Sequence, residues 1–161
     1  MRFADALAAP DQPGAVFAAL GALADETVGA KLFTLMTFDA ETRLARRIHS
    51  NMPDAYPPGG TKPAPETDWT ARVLDRHEVF VANTAEEIAA VFFDHAQIAA
   101  LGCAAALNLP VVVGGRVVGT LNCLDVAGTY TPARVAAAEA LRLPGATAFL
   151  LYDAMTRGGD R

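Results

Sequence analysis

The stretch LNLPVVVGGRVVGTLNCL, residues 107–124, constrains the fold more than any other part of the chain. Two apolar runs meet at Gly114-Gly115. A two-residue primed turn needs positive φ, which glycine adopts without steric cost, so the pattern predicts a hairpin with strands at 107–113 and 116–124. Two adjacent antiparallel strands of this length belong at the centre of an antiparallel sheet and point to an α+β fold. With the turn on the two glycines, Val113 faces Arg116. Strict alternation then puts Leu107, Leu109, Val111, Val118, Thr120, Asn122 and Leu124 on one face and Asn108, Val112, Val117, Leu121 and Cys123 on the other. Asn108 and Asn122 are therefore expected on opposite faces, each an amide among aliphatic groups. A buried amide needs partners. These are either neighbouring backbone groups or a ligand that one of the two amides orients.

Residues 13–27 carry Val16, Phe17, Leu20, Leu23 and Ala24 at helical spacing, with Pro13 in the first turn. Residues 31–38 form an apolar strand, and residues 43–49 pair back with it across the turn Asp39-Ala40-Glu41-Thr42. A short helix over 68–76 turns Trp69, Val73 and Leu74 inward. A short strand covers 78–82. Thr84 caps helical structure that runs to Leu101 and closes at Gly102. Thr131 and Pro132 open the last helix, and Pro144 is expected to kink or break it. The tail from Arg157 is expected to fray.

At 161 residues, 52% hydrophobic and 19% charged, the chain has enough apolar surface for one folded domain spanning 1–161, its core at about 13–155. A net charge of −5 argues against nucleic acid as a partner. No run of 18 apolar residues is present, which argues against a membrane span, and residues 1–12 do not read as a secretory signal. Two cysteines make no disulfide framework, which fits a reducing cytoplasm. His49, His77 and His95 form no metal-ligand spacing, so no metal is expected and no cofactor is assigned.

Residues 51–66 hold Pro53, Pro57, Pro58, Pro63 and Pro65 with Gly59 and Gly60. That density suits a structured loop rather than sheet. The stretch 49–63, from His49 through Tyr56, is expected to hang over a pocket, so that removing Tyr56 weakens binding and leaves stability almost unchanged. Trp69 is expected either in the core or in the pocket wall. Of the adjacent Phe92 and Phe93, one is core and the other lines the pocket. The candidate ligand-binding residues are thus His49, Tyr56, Trp69, Phe92, Phe93, Asn108 and Asn122. Cys103, after Gly102 at an element junction, is the one candidate nucleophile and is expected on the opposite side of the sheet from Cys123.

The order helix, strand, strand, long loop, helix, short strand, helices, hairpin, helix resembles that of GAF domains. So do WTARVLDRHEVFVAN, LNLPVVVGGRVVGTLNCLD and YTPARVAAAEAL. The resemblance covers residues 13–155 and implies a stand-alone, single-domain GAF protein. The fold it implies is PAS-like: an antiparallel sheet of five or six strands, terminal helices on one face, pocket-covering loops and helices on the other. It implies a non-enzymatic sensor or regulatory module that holds an unidentified small molecule and works with a signalling partner protein. A homodimer is expected through the alanine faces of the first and last helices. Cys103 is followed by Ala104 and Cys123 by Leu124, which departs from the bilin-attaching members. The enzyme alternative is a cysteine-dependent redox enzyme resembling free methionine sulfoxide reductase. Those proteins carry a Glu before the hairpin proline, whereas Leu107, Asn108 and Leu109 precede Pro110 here. A structural dimerisation module with a filled pocket is the second alternative.

Overall fold

The computed structural model describes residues 2–158. A short helix α1 (Phe3–Ala6) leads into α2 (Gly14–Val28), followed by β1 (Leu32–Asp39), β2 (Leu44–Ser50) and β3 (Gly59–Pro63). Helix α3 (Asp68–Thr70) continues into one wide turn, Ala71–Asp75, and then β4 (Phe80–Ala82), α4 (Ala85–Val91) and α5 (His95–Ala100). The hairpin strands are β5 (Ala105–Val113) and β6 (Arg116–Asp125). Helix α6 (Pro132–Ala137), a tight turn at Ala138–Leu141 and α7 (Arg142–Gly158) complete the order. The six strands form one sheet in the order β3-β2-β1-β6-β5-β4, and every neighbouring pair is antiparallel.

Local signals set most of these boundaries. Gly114 and Gly115 take φ of 58° and 78°, as a primed turn requires. The hydroxyls of Thr84 and Thr131 accept from the amides of Glu87 and Arg134. Gly102, at φ 77°, ends α5. Pro144 cannot donate to the turn before it, and the last helical segment breaks at the tight turn three residues upstream of it. Arg157 and Gly158 still belong to α7, and the rest of the expected frayed tail, residues 159–161, lies outside the described residues.

One element departs from the sequence reading. Residues 59–63 are a strand and not a loop: β3 pairs with β2, with Ala45 opposite Lys62 and Leu44 opposite Pro63. The glycines and proline are tolerated because β3 is the sheet edge, where one side of the backbone needs no partner. The remaining proline-rich stretch crosses from β2 to this edge.

The helices α2 and α7 pack on one sheet face. Leu35, Leu107, Leu109, Leu121 and Cys123 have no exposure there and meet Phe17, Leu20, Leu141 and Phe149. Close approach depends on two glycines. A Cβ at Gly119 would strike the Phe149 ring and the Met36 carbonyl, and one at Gly145 would meet Leu121 at 2.9 Å. Cys123 lies in this cluster and Cys103 in the cluster on the opposite face, with Leu32, Tyr56, Ile88 and Ile98.

Two irregularities decide which side chains face which way. Val112 pairs with Val117 as the turn dictates, but Val111 pairs with Gly119, so Val118 is an extra residue. The bulge flips every later position of β6 relative to β5. Asn108 and Asn122 are consequently directly opposite each other, on one face. This overturns the expectation that they point apart. In β2, Leu35 pairs with His49 but Met36 with Arg47, so Ile48 is the extra residue. His49 therefore faces the terminal helices, and Arg47 the other side.

Candidate functional site

The sheet face turned away from α2 and α7 floors a cavity of about 290 Å³. Its floor comes from alternate residues of the central strands: Thr34 and Met36 of β1, Thr120 and Asn122 of β6, and Asn108 of β5. Ala45 and Arg47 of β2 extend it towards the edge. Trp69 and Leu74 form one wall, and Phe92, Phe93, Asp94 and Ile98 another. Tyr56 and the segment from Lys62 to Pro65 close the remaining side. Among the described residues no cluster of His, Cys, Asp or Glu is arranged to hold a metal.

A chain of side-chain hydrogen bonds crosses the floor. The Trp69 indole Nε1 donates to Asn108 Oδ1 at 2.9 Å, Asn108 Nδ2 donates to Asn122 Oδ1 at 2.9 Å, and Asn122 Nδ2 donates to the Thr34 hydroxyl at 3.3 Å. An indole nitrogen can only donate, so its position fixes the sense of both amides. Asn108, Asn122, Thr34 and Thr120 are all buried. The amides thus bond to side chains rather than to nearby backbone. Trp69 reaches Asn108 because Thr67 and Thr70 form a reciprocal cap, Thr67 Oγ1 accepting from the Thr70 amide and Thr70 Oγ1 from the Thr67 amide. The wide turn after it, closed by Arg76 N–H to Ala71 O, carries buried Val73 and Leu74 beneath.

Opposite Trp69, Tyr56 Oη donates to Asp94 Oδ2 at 2.7 Å, and the Arg47 guanidinium lies over the Tyr56 ring at 5.0 Å. Burial, then the bond to Asp94, pushes the Tyr56 phenol well above its ordinary range, so it stays protonated and donating. Burial lowers the Arg47 pKa, with Tyr56 and Asp94 acting in the opposite sense. Arg47 Nη1 donates to Pro57 O at 3.3 Å, while its Nε–H is buried with no acceptor.

Six of the seven candidates line this cavity: Tyr56, Trp69, Phe92, Phe93, Asn108 and Asn122. Phe92 is half-buried and meets Phe80 edge-on at 5.9 Å, whereas Phe93 is 91% exposed at the rim, 6.0 Å from Lys62 Nζ. His49 is not in the lining. The bulge at Ile48 sends it to the helix side, 5.6 Å from the Phe17 ring and 6.0 Å from the Phe33 ring, and burial lowers its pKa. Tyr56 is 7% exposed and part of a packed cluster, so it supports the fold as well as bounding the cavity. Arg47, Asp94, Thr34 and Thr120 also line the cavity and are not among those seven candidates. Arg47, Thr34 and Thr120 are charged or hydroxyl side chains on strands beside an apolar floor, and Asp94 stands between α4 and α5. Cys103 is buried, and burial pushes its thiol up, the reverse of what activates a nucleophile. The Cys123 thiol is pushed up to about 12 by burial.

A family model described as the GAF domain matches residues 13–148. The chain belongs to the GAF domain family. GAF domains are ligand-binding sensor and regulatory modules. No curated protein sequence matches this GAF chain. Among solved structures it is similar to a domain of a putative two-component sensor histidine kinase from Sinorhizobium meliloti: 16% identity, 91% of this chain and 97% of that one, TM-score 0.64. The GAF domain of a two-component sensor histidine kinase from Bacillus halodurans is similar at 16% identity over 91% and 98%, TM-score 0.66. The chromophore-binding domain of an unusual bacteriophytochrome from R. palustris is similar at 13% identity over 97% and 60%, TM-score 0.64. At these identities the likeness speaks for the fold. No helix among the described residues is long and apolar enough to cross a membrane.

Proposed function

We propose that this GAF domain is a non-enzymatic sensor module that holds one small molecule in the cavity between Trp69, Tyr56 and the Asn108–Asn122 floor. The observation that carries the reading is a hollow of about 290 Å³ floored by a directed hydrogen-bond chain. Aromatic and aliphatic walls with a few fixed polar groups suit recognition of a compact, partly flat ligand. The walls come from separate segments, the β2–β3 crossing and the α4–α5 junction, so an occupant would tie them together and alter their order. That change would be read by a signalling partner or a second copy of the chain, in a reducing cytoplasm where both thiols stay free. A homodimer through α2 and α6 is part of the proposal. Ala18 and Ala22 are exposed on the first of these, and Ala133, Ala136 and Ala137 on the second. Light scattering at tens of micromolar is expected to give twice the monomer mass, and a monomer would remove that part.

Native mass spectrometry of gently purified protein tests the reading. The expected spectrum shows a bound mass that denaturation releases. Absence of any bound mass, together with no ligand-induced amide shift at the cavity in an NMR screen of small aromatic and aliphatic compounds, would leave the module without a sensing role.

A further inference from the structure

The hydrogen-bonding balance of the cavity points to the charge of its occupant. The floor amide oxygens and one oxygen of Asp94 already accept from side chains, while several donors in the lining are unspent. The floor chain starts at an indole that can only donate and runs in one sense to the Thr34 hydroxyl, so it ends on a hydroxyl proton with no acceptor among the described residues. Thr120, buried beside it, also has a hydroxyl that makes no side-chain hydrogen bond among the described residues. Asp94 is the one carboxylate in the lining among the described residues, and its Oδ2 accepts from Tyr56. Arg47 lines the same space with its buried Nε–H unpartnered, and Lys62 stands at the rim. Two cations against one carboxylate leave one excess positive charge in the lining of a chain whose net charge is −5. Guanidinium groups recognise carboxylates through paired N–H donors. The aromatic walls, Trp69 and Phe92, leave room for one flat or branched apolar body beside that group.

Resting on the sensor reading above, we infer that the ligand of this cavity is a small monocarboxylate with a compact apolar body, its carboxylate held by Arg47 and the floor hydroxyls. The occupant's carboxylate accepts from the guanidinium and the floor hydroxyls, and it offsets the desolvation of the half-buried guanidinium.

The test uses matched acid, amide and amine triplets: benzoate, benzamide and benzylamine; indole-3-acetate, indole-3-acetamide and tryptamine. Each is titrated into the isotope-labelled 161-residue chain and followed by amide shifts and the Trp69 indole signal. At least one acid is expected to bind about tenfold more tightly than its amide, as loss of a charge-assisted hydrogen bond implies, with the amine weaker still. Arg47→Met should bring the acid down to the amide's affinity, and Arg47→Lys should restore part of the preference. Preserved signal dispersion shows that each variant is folded. Amides or amines that bind as well as the acids, or an acid preference that survives Arg47→Met, would overturn the inference while leaving a binding cavity. Acids that cause no shift would overturn it too, and if no compound binds at all the sensor reading loses its support with it.

Discussion

Leu121 and Asn122 are neighbours in one strand, yet they serve two different faces of the sheet. Leu121 has no exposure and packs with Leu109, Val111 and the Gly145 turn of α7. Asn122 is buried on the other side, bonded to Asn108 and Thr34 at the floor of the cavity. The helix-covered face is aliphatic and close-packed, so its residues contribute chiefly to stability. The cavity face spends buried area on polar groups that must be satisfied side chain to side chain. Folding driven by burial alone would not favour that arrangement, since an apolar floor would pack with less cost. The difference teaches that a strand's alternation can divide structural and recognition duties residue by residue.

The division can be broken by single substitutions. The largest expected effect is Leu121→Ala, which leaves a void in the packed face and should cost about 3 kcal/mol in urea unfolding, with the cavity's occupant retained. A loss below about 1 kcal/mol would mean that this face is not where stability resides. Asn122→Ala is expected to cost about 1 kcal/mol, because water in the cavity can serve the freed Asn108 and Thr34 groups. The same variant should lose the bound mass in native mass spectrometry, reversing the order of the two effects. Tyr56 sharpens the contrast, since it belongs to both packing and cavity. Tyr56→Ala should lower the melting temperature as well as binding. Tyr56→Phe, which keeps the ring and removes only the bond to Asp94, should change stability by no more than about 1 kcal/mol.

The smallest effect concerns His49. Burial holds its pKa below the ordinary value of 6.5, so between those two values the unfolded chain binds more protons than the folded one. Its contribution is therefore fully present above about pH 6.5 and is lost as pH falls through the folded value. His49→Gln should flatten that part of the stability–pH curve and leave cavity binding unchanged, because the ring faces α2. A binding defect in this variant would return His49 to the site.

The parts of this fold that were legible in the sequence are those set by one or two adjacent residues. The Gly114-Gly115 turn, the caps at Thr84 and Thr131, the break before Pro144 and the helix end at Gly102 need no distant partner. The two bulges were not legible, because each depends on what packs from elsewhere. Gly119 lies beside the bulge in β6, and the ring of Phe149 that fills the place of its missing side chain comes from α7, 30 residues on. Without that contact, strict alternation separates Asn108 from Asn122 and hides the floor chain. The bulge at Ile48 misplaced His49 in the same way and left Arg47 unremarked. Residues 59–63 were misread for a related reason: proline and glycine exclude a central strand, and nothing local said that this one lies at an edge. The aromatic boundary of the cavity was easier, since Tyr56, Trp69 and Phe92 sit in segments too short or too irregular to bury such rings elsewhere.

Whether the cavity holds a ligand can be seen in a high-resolution crystal structure of the protein purified without extraction of small molecules, at the space between Trp69, Asn122 and Arg47. Continuous density for one compact non-solvent molecule is expected, in contact with the floor hydroxyls and the Arg47 guanidinium, over an intact Trp69–Asn108–Asn122 chain. A site closed by inward rotation of Tyr56 and Phe92, with their rings filling the space, would contradict it.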